Sequence, residues 1–276
     1  MTSVTTETII MWGAVTLYAL SSVALVIAYV FKRPKLASLG LWLVAAGLLV
    51  HSAGIGVRWV RVGHGPYIGF YEAVSGLAFS SAVVYLVMGW RKRSLRIAGT
   101  VLMPLSFLAL GAAMMAPMTD LAISGTLASY WLSIHIGFAK LTYGSFIAAF
   151  ALAVMYLTRS RRSDANDIGE AKLLTYDDLT WKFVAAGFIF LGIMIAAGAI
   201  WANEAWGRYW AWDPIETWSL ISWLCYAFVI HLRVTMGWRD KRFAIASIVP
   251  LPVVLFALLG VVLVYDSIHG AYLLGT

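Results

Sequence analysis

The chain has 276 residues, of which 62% are hydrophobic, and its mean hydropathy is +0.84. Its charged residues, 12% of the total, stand in short clusters between long apolar runs, so water cannot be the solvent for most of its surface. This composition excludes a soluble globular protein. The net charge of +7 is interpreted as a record of membrane topology, with no nucleic acid as a partner.

Eight apolar runs follow one another along the chain, each close to the roughly 20 residues that a spanning helix needs. The sequence therefore predicts an all-α, polytopic membrane protein with about eight transmembrane helices. These form a single membrane domain over residues 1–276. The predicted spans are residues 8–31, 37–57, 72–90, 97–117, 134–158, 182–201, 214–235 and 243–265.

The positions of Lys and Arg predict the orientation of these spans. Sixteen of the 20 basic residues lie in the loops after the first, third, fifth and seventh spans, whereas only Arg58, Arg61 and Arg208 lie in the opposite loops. Because cytoplasmic loops are enriched in Lys and Arg, both termini are expected outside. The first span has no basic residue before it, which favours a retained helix over a cleaved signal peptide.

Two connecting segments stand out between the spans. Residues 159–182 are predicted to be a cytoplasmic linker with a short amphipathic helix, and residues 202–213 an external Trp-rich loop leading into the seventh span. The sixth span is dense in Gly and Ala, which favours close helix contact in lipid. The single cysteine, Cys225, excludes a disulfide framework and a C-x-x-C motif, so any thiol chemistry requires a partner's thiols.

Residues 206–218, "WGRYWAWDPIETW", combine a helix start with a cluster of indoles. Asp213, Pro214 and Glu216 stand at positions N-cap, N1 and N3 of the predicted seventh helix, where an acceptor, a fixed φ and a carboxylate favour helix initiation. Capping explains both carboxylates, and contact with a ligand is the alternative interpretation.

The indoles of this segment also have two interpretations. Trp206, Trp210 and Trp212 are predicted to lie in the loop, three rings within seven residues. Indoles collect at membrane interfaces, so the rings could belong to an aromatic belt. Their density also suits a flat apolar platform for a large planar ligand. The segment by itself leaves both interpretations open.

The five histidines favour the platform, because ionisable side chains near or within membrane spans are costly and indicate function. His135 opens the fifth span and His269 follows the eighth, and both are predicted to lie level with the Trp-rich loop. Two imidazoles beside an aromatic platform are what an iron porphyrin requires, with axial nitrogen ligands and flat apolar contact around the ring.

His51 and His231 form a second candidate pair, this time inside the membrane, with neutral hydrogen-bonded core histidines as the alternative. Their depths differ: His231 lies about 27 Å along a helix from Asp213, whereas His51 lies about 10 Å from Arg58. The pair can meet only if the helices tilt or the seventh helix begins above the hydrocarbon. The remaining histidine, His64, lies in a Gly-rich loop and is predicted to be solvated.

Four stretches carry a resemblance to a known family. Residues 201–233, "WANEAWGRYWAWDPIETWSLISWLCYAFVIHLR", closely resemble the WWD signature of haem-handling cytochrome c biogenesis proteins, specifically the CcsA/ResC-type subunit of the system II cytochrome c synthase. Residues 129–146 and 264–272 are similar to its two external-histidine regions, and residues 51–59 to an intramembrane one. The resemblance covers nearly the whole chain. One departure is "PYIGFYEA", residues 66–73.

The resemblance implies a function and a set of ligands. It makes His135 and His269 the external haem-iron ligands, and His51 and His231 those of an intramembrane site. The protein would carry b-type haem across the inner (cytoplasmic) membrane, or the thylakoid membrane in a plastid. It would then support covalent attachment of haem to the C-x-x-C-H cysteines of apocytochrome c, together with a ResB/CcsB-type membrane partner.

The predicted haem-contacting residues come from the Trp-rich segment and from Arg58, and Arg58, Arg61 or Arg208 could pair with a haem propionate outside the membrane. No acid or base is demanded by this chemistry, so no catalytic residue is assigned. The predicted set consists of Trp206, Gly207, Arg208, Tyr209, Trp210, Trp212, Asp213, Glu216, Trp218 and Arg58.

Three other functions compete with this one. A haem-delivery protein of the CcmC kind also has a Trp-rich loop and two external histidines, but eight spans and two intramembrane histidines argue against it. A b-type electron-transfer cytochrome commonly repeats histidines along one helix, and no predicted helix here has two. A small-solute transporter gives no account of the Trp-rich loop.

Overall fold

The computed structural model describes residues 3–66, 68–118, 120, 125, 129–161 and 167–267. The regular structure of this part of the chain is helical, with eight stretches long and apolar enough to cross a membrane, which confirms the predicted fold class. The long helices are α1 (Ser3–Val30), α2 (Pro34–Val62), α3 (Phe70–Arg91), α4 (Gly99–Met115), α5 (Tyr130–Ser160), α6 (Asp167–Trp206) and α7 (Pro214–Val234). A 3-10 helix over Arg93–Ala98 precedes α4, and the last span consists of α8 (Asp240–Ile248), α9 (Leu251–Leu255), a π-helical turn (Phe256–Gly260) and α10 (Val261–Val264).

The predicted membrane domain consists of two compact units, Met1–Ala122 and Ile123–Thr276, with four candidate spans in each. In the first unit, α1 packs along α2 and α4, and α3 packs against α4 and α2. In the second unit, α5 and α6 form the most extensive helix pair, α8 packs against both, and α7 packs against α6 and α8.

Glycines at a seven-residue spacing bring α1 and α2 together. A Cβ atom at Gly40, Gly47 or Gly54 would meet a side chain of α1 at 2.6, 2.7 and 2.8 Å respectively, so each glycine makes space for a larger residue. The helices of a membrane protein associate largely through packing, and small residues at the contact let their backbones approach. The close contact of α1 and α2 therefore depends on three glycines that have no side chain to keep the helices apart.

Several helices extend beyond the limits that hydropathy predicted. Helix α2 runs to Val62 and thus includes Arg58, and α6 begins at Asp167, so residues 167–182 of the predicted linker form the first turns of α6. The other end of α6 is Trp206, which is helical although it was predicted to lie in the loop. An α-helix satisfies its own backbone hydrogen bonds in lipid and in water alike, so it continues past the apolar window that reveals it.

Candidate functional site

The start of α7 confirms the capping interpretation of the two carboxylates. Asp213 is the N-cap residue, and its Oδ1 accepts a hydrogen bond from the amide of Ile215 at 3.0 Å. Glu216 returns the bond, because its Oε2 accepts from the amide of Asp213 at 3.2 Å. Pro214 occupies N1, where its missing N–H is of no consequence. These groups together satisfy donors that a helix start leaves without intrahelical partners.

The loop between α6 and α7 contains two residues with left-handed backbone. Gly207 ends α6 with φ of +72°, and its amide donates to the carbonyl of Asn203 at 2.9 Å, as expected for a glycine C-cap. Trp212 has φ of +59°, a conformation that costs a bulky residue on the order of 1–3 kcal/mol. Its side chain is 70% exposed, so burial of the indole does not offset that cost within the chain.

The predicted aromatic cluster divides into anchored and displayed rings. Trp206 contacts Trp201 of α6 edge to face with centroids 5.0 Å apart, and Trp218 contacts Phe256 at 4.6 Å. Trp210 and Trp212 contact each other edge to face at 5.8 Å. Tyr209 and Arg208 are exposed in the same loop. Two indoles thus hold helix ends, and the loop residues form the displayed part of the cluster.

His135 lies in the second turn of α5, against α6. Its Nδ1 is 2.8 Å from the carbonyl oxygen of Met194. A carbonyl can only accept, so Nδ1 carries the proton and donates, and Nε2 carries the lone pair through which a neutral imidazole binds a metal. Gly198 makes this position possible, because a Cβ there would lie 2.6 Å from Nδ1. The start of α5 is attached to the end of α6 by a 2.6 Å hydrogen bond from Ser129 Oγ to Glu204.

A small, open-mouthed cleft with a cavity volume of about 40 Å³ connects His135 to the Trp-rich loop. The chain brings together predicted residues of α5, the loop and the first turns of α7, and it adds residues of α6 that were not predicted. The lining includes His135, Gly198, Tyr209, Trp210, Glu216 and Ser219. The cleft offers an imidazole nitrogen, aromatic faces and a carboxylate within one largely apolar space, a combination typical of a ligand site.

The other predicted histidine pair is divided between the two units. His51 is fully buried in the first unit, where its Nε2 lies 2.8 Å from Ser75 Oγ and its Nδ1 lies 3.3 Å from the Tyr18 hydroxyl. Its ring therefore connects α1, α2 and α3 as a core residue. His231 is exposed in the last turn of α7, at the opposite end of that helix from Asp213.

Two other histidines complete the set. His269 lies outside the residues that the structure describes. The prediction for His64 is wrong: its side chain is buried, and its Nδ1–H donates to the carbonyl of Gly65 at 2.8 Å. Burial of this ring depends on tertiary packing, which the glycine content of the loop does not predict. Within the described ranges, no three His, Cys, Asp or Glu side chains are grouped as ligands of a metal ion.

Arg58, predicted to pair with a haem propionate, is buried among carboxylates of the first unit. Its guanidinium forms ion pairs with Glu72 and, at 3.5 Å, with Glu7, and it lies 4.9 Å from the ring centre of Tyr71. Glu7 also pairs with Arg61 at 2.8 Å. Charges that lie away from water need such partners. The surroundings of Arg58 thus favour a role in joining α1, α2 and α3.

Sequence reasoning missed the residues that hold His135 in place. The Met194 carbonyl orients the ring and Gly198 makes room for it, whereas Ser129 and Glu204 join the helix ends. The only signal for any of them was the Gly and Ala content of α6, which predicted close contact without naming the neighbour. Every residue has a backbone carbonyl, so the identity of Met194 does not indicate that its carbonyl orients His135.

Comparison with known proteins identifies the family. The model of the family described as "Cytochrome C assembly protein" matches residues 67–269, which is well over half of the chain and includes the cleft and the Trp-rich loop. The chain belongs to this family. That membership confirms the predicted resemblance to cytochrome c biogenesis proteins, and the match covers the part of the chain that contains α3 to α10.

Curated relatives agree with this assignment. "Cytochrome c biogenesis protein CcsA" of Trieres chinensis is 31% identical over 252 residues, covering 78% of this chain and 80% of the relative. The protein of the same description from Gloeothece citriformis is 30% identical over 290 residues, covering 86% and 88%. The match to the protein from Chlamydomonas reinhardtii is 33% identical over 221 residues and covers 78% of this chain and 63% of that relative.

A solved structure shares the fold. The chain described as "Cytochrome c Heme Lyase CcmF" superimposes with a TM-score of 0.70 at 18% sequence identity, and the match covers 94% of this chain. This chain spans about half the length of that protein, since 49% of the other chain is covered. At this identity the likeness concerns the helical architecture.

Proposed function

We propose that this protein binds haem at the cleft beside the Trp-rich loop and presents it for covalent attachment to apocytochrome c. The haem is b-type cargo, and the reaction it undergoes is addition of the two C-x-x-C-H thiols of the acceptor across its vinyl groups. Each addition breaks the S–H bond of the thiol and the π bond of the vinyl group, and it forms a C–S and a C–H bond. The family membership and the names of its relatives support this role in cytochrome c biogenesis.

The observation that carries the proposal is the orientation of His135. Because Nδ1–H donates to the Met194 carbonyl, Nε2 is the basic nitrogen and the ring cannot rotate without losing that bond. The same cleft is lined by Trp210 and Tyr209, whose rings offer the apolar contact that a porphyrin face needs. The carboxylate of Glu216 accepts hydrogen bonds from backbone amides. Arg208 is the cation of this loop, and its guanidinium suits a haem propionate.

Placement is the protein's main contribution to the reaction. Two thiols and two vinyl groups must meet in one orientation, and a haem held by axial imidazole and aromatic contact converts that encounter into a positioned one. His269 is the second axial ligand in this proposal. The acceptor cysteines come from apocytochrome c, and a ResB/CcsB-type partner shares the work. The Trp-rich loop lies on the external side of the inner membrane.

The predicted intramembrane site has less support from the surroundings of its residues. His231 is exposed on α7, but His51 would have to give up its contact with Ser75 or Tyr18 before it bound iron. The pair stays a prediction from the family resemblance. The external site does not depend on it, because the residues around the cleft come from one unit.

The test is replacement of His135 by Ala, with haem per protein measured as pyridine haemochrome and maturation measured as covalent haem on a co-expressed cytochrome c. We expect both to fall sharply and added imidazole to restore part of each, since an axial nitrogen is what was lost. Replacement of His269 should behave in the same way. Wild-type maturation in the double Ala variant would exclude these ligands.

Gly198→Ala offers a second approach to the same ring without removing it. A methyl group at this position would lie 2.6 Å from Nδ1, so it should displace His135 and lower haem content, an overpacking effect of about 1–3 kcal/mol. Gly111→Ala is the matched control, because that glycine lies within α4 with nothing near its missing Cβ. Equal haem content in the two variants would show that haem does not bind at this cleft.

A further inference from the structure

The carboxylate of Glu216 forms hydrogen bonds on both sides of Trp212. Its Oε2 accepts from the amide of Ala211 at 2.8 Å and from the amide of Asp213 at 3.2 Å. The residue between these two amides is the one with φ of +59°. From this arrangement we propose that Glu216 is a positioning residue, which holds Trp212 in left-handed backbone and thereby presents its indole to the haem.

A capping box alone does not require this arrangement. In such a box the N3 carboxylate reaches back to the N-cap amide, which here is the bond to Asp213. The hydrogen bond from the Ala211 amide lies two residues further back, so the Glu216 carboxylate is bonded to the residues before and after Trp212. Thr217 bonds Trp212 itself, because its Oγ1 donates to the carbonyl of Trp212 at 3.4 Å.

The backbone of Trp212 makes such a device necessary. A bulky residue with positive φ is rare, and it persists only where its surroundings over-determine the conformation. The indole of Trp212 is largely exposed. Its ring contact is with Trp210 of the same loop, edge to face at 5.8 Å, and this contact does not bury it. Packing of the indole in a core therefore does not explain the conformation, whereas the two hydrogen bonds that the Glu216 carboxylate accepts do.

The two carboxylates of the segment consequently have different tasks. Asp213 binds the Ile215 amide and closes the first turn of α7, whereas Glu216 closes the loop that precedes it. Removing either weakens the helix start, but only removal of Glu216 should release Trp212. Since this inference concerns the haem contact of that indole, it rests on the proposed function.

The experiment uses the full-length protein labelled with 5-fluorotryptophan, and Trp212→Phe assigns the resonance of Trp212. A soluble gadolinium chelate measures how far that indole is exposed, without haem present. We expect Glu216→Ala to reduce the relaxation effect of the chelate on this resonance severalfold. Glu216→Gln should retain most of it, because the amide oxygen of Gln accepts the same two bonds. Asp213→Ala should also retain it, although α7 loses its cap.

The second measurement is haem affinity, obtained by titrating the same variants with haem. Glu216→Ala should weaken binding by roughly fivefold, which corresponds to losing the contact of one aromatic ring, and Glu216→Gln should bind nearly as the wild type does. The inference is overturned if Trp212 stays exposed in Glu216→Ala, if Asp213→Ala changes the resonance equally, or if haem affinity is unaffected when the indole moves.

These outcomes are distinct from a failure of the proposed function. A wild-type protein that binds no haem would overturn the function, while the gadolinium measurement would still report on the control of Trp212 by Glu216. A protein that binds haem through His135 but ignores the position of Trp212 would overturn only the inference about presentation. Protease resistance of each variant shows whether α7 is still folded.

Discussion

The Arg58 cluster of the first unit and the start of α7 in the second unit use their carboxylates in different ways. In the first unit, Glu7 and Glu72 are buried against Arg58, so charge neutralises charge among α1, α2 and α3. In the second unit, Asp213 and Glu216 accept hydrogen bonds from backbone amides at the start of α7. The first arrangement joins helices side by side, and the second shapes one loop.

The difference indicates which of the two regions is able to contact a ligand. An ion pair among helices consumes both partners, and Arg58, Glu7 and Glu72 are buried and paired with one another. At the start of α7 the carboxylates accept hydrogen bonds from backbone amides, and Tyr209 and Trp212 of the preceding loop are exposed. Recognition is therefore expected in the second unit, and the buried charges of the first are expected to contribute to stability.

The largest expected effect tests the structural side of this comparison. Arg58→Met should destabilise the protein by about 3–5 kcal/mol, because it leaves Glu72 buried without its cation. Thermal unfolding or protease resistance in detergent measures the loss. Arg91→Met is the control, since Arg91 is exposed at the end of α3 and should stay within about 0.5 kcal/mol of the wild type. Haem loss from a fully stable Arg58→Met protein would contradict this and restore Arg58 as a propionate contact.

A smaller effect is expected on the recognition side. Replacing Trp210 and Trp212 together with Ala should weaken haem binding by about 1 kcal/mol for each ring while the protein stays folded. Trp206→Ala serves as the contrast, because that ring packs on Trp201 and its loss should lower stability as well. Full haem occupancy in a folded double variant would show that the displayed rings serve the membrane interface.

The smallest expected effect isolates the cap from the loop. Asp213→Ala should cost about 1 kcal/mol of local stability, since one amide of α7 loses its acceptor. Hydrogen exchange of the first turn of α7 measures this, with Asp178→Ala as a control because its carboxylate forms a surface ion pair with exposed Lys182. An effect of Asp213→Ala as large as that of Arg58→Met would mean that the helix start supports more than its own turn.

Local chemistry was sufficient for much of this protein. Eight spans follow from runs of apolar residues, because each helix must satisfy its backbone and bury its side chains in lipid by itself. The N-cap of α7 follows from Asp213, Pro214 and Glu216, since capping involves atoms only a few residues apart. Position along the chain also singled out His135, and the tertiary structure places its ring in the cleft with Trp210.

What the tertiary structure alone decided concerns contacts between helices. His51 and His135 are both histidines in apolar helices, yet one is enclosed by Ser75 and Tyr18 and the other lines a cleft. Likewise Arg58 received its partners from α1 and α3, and Trp206 became an anchor through Trp201. The side chain of a residue specifies which bonds it is able to form, but the neighbours that complete those bonds come from distant parts of the chain, and only packing selects them.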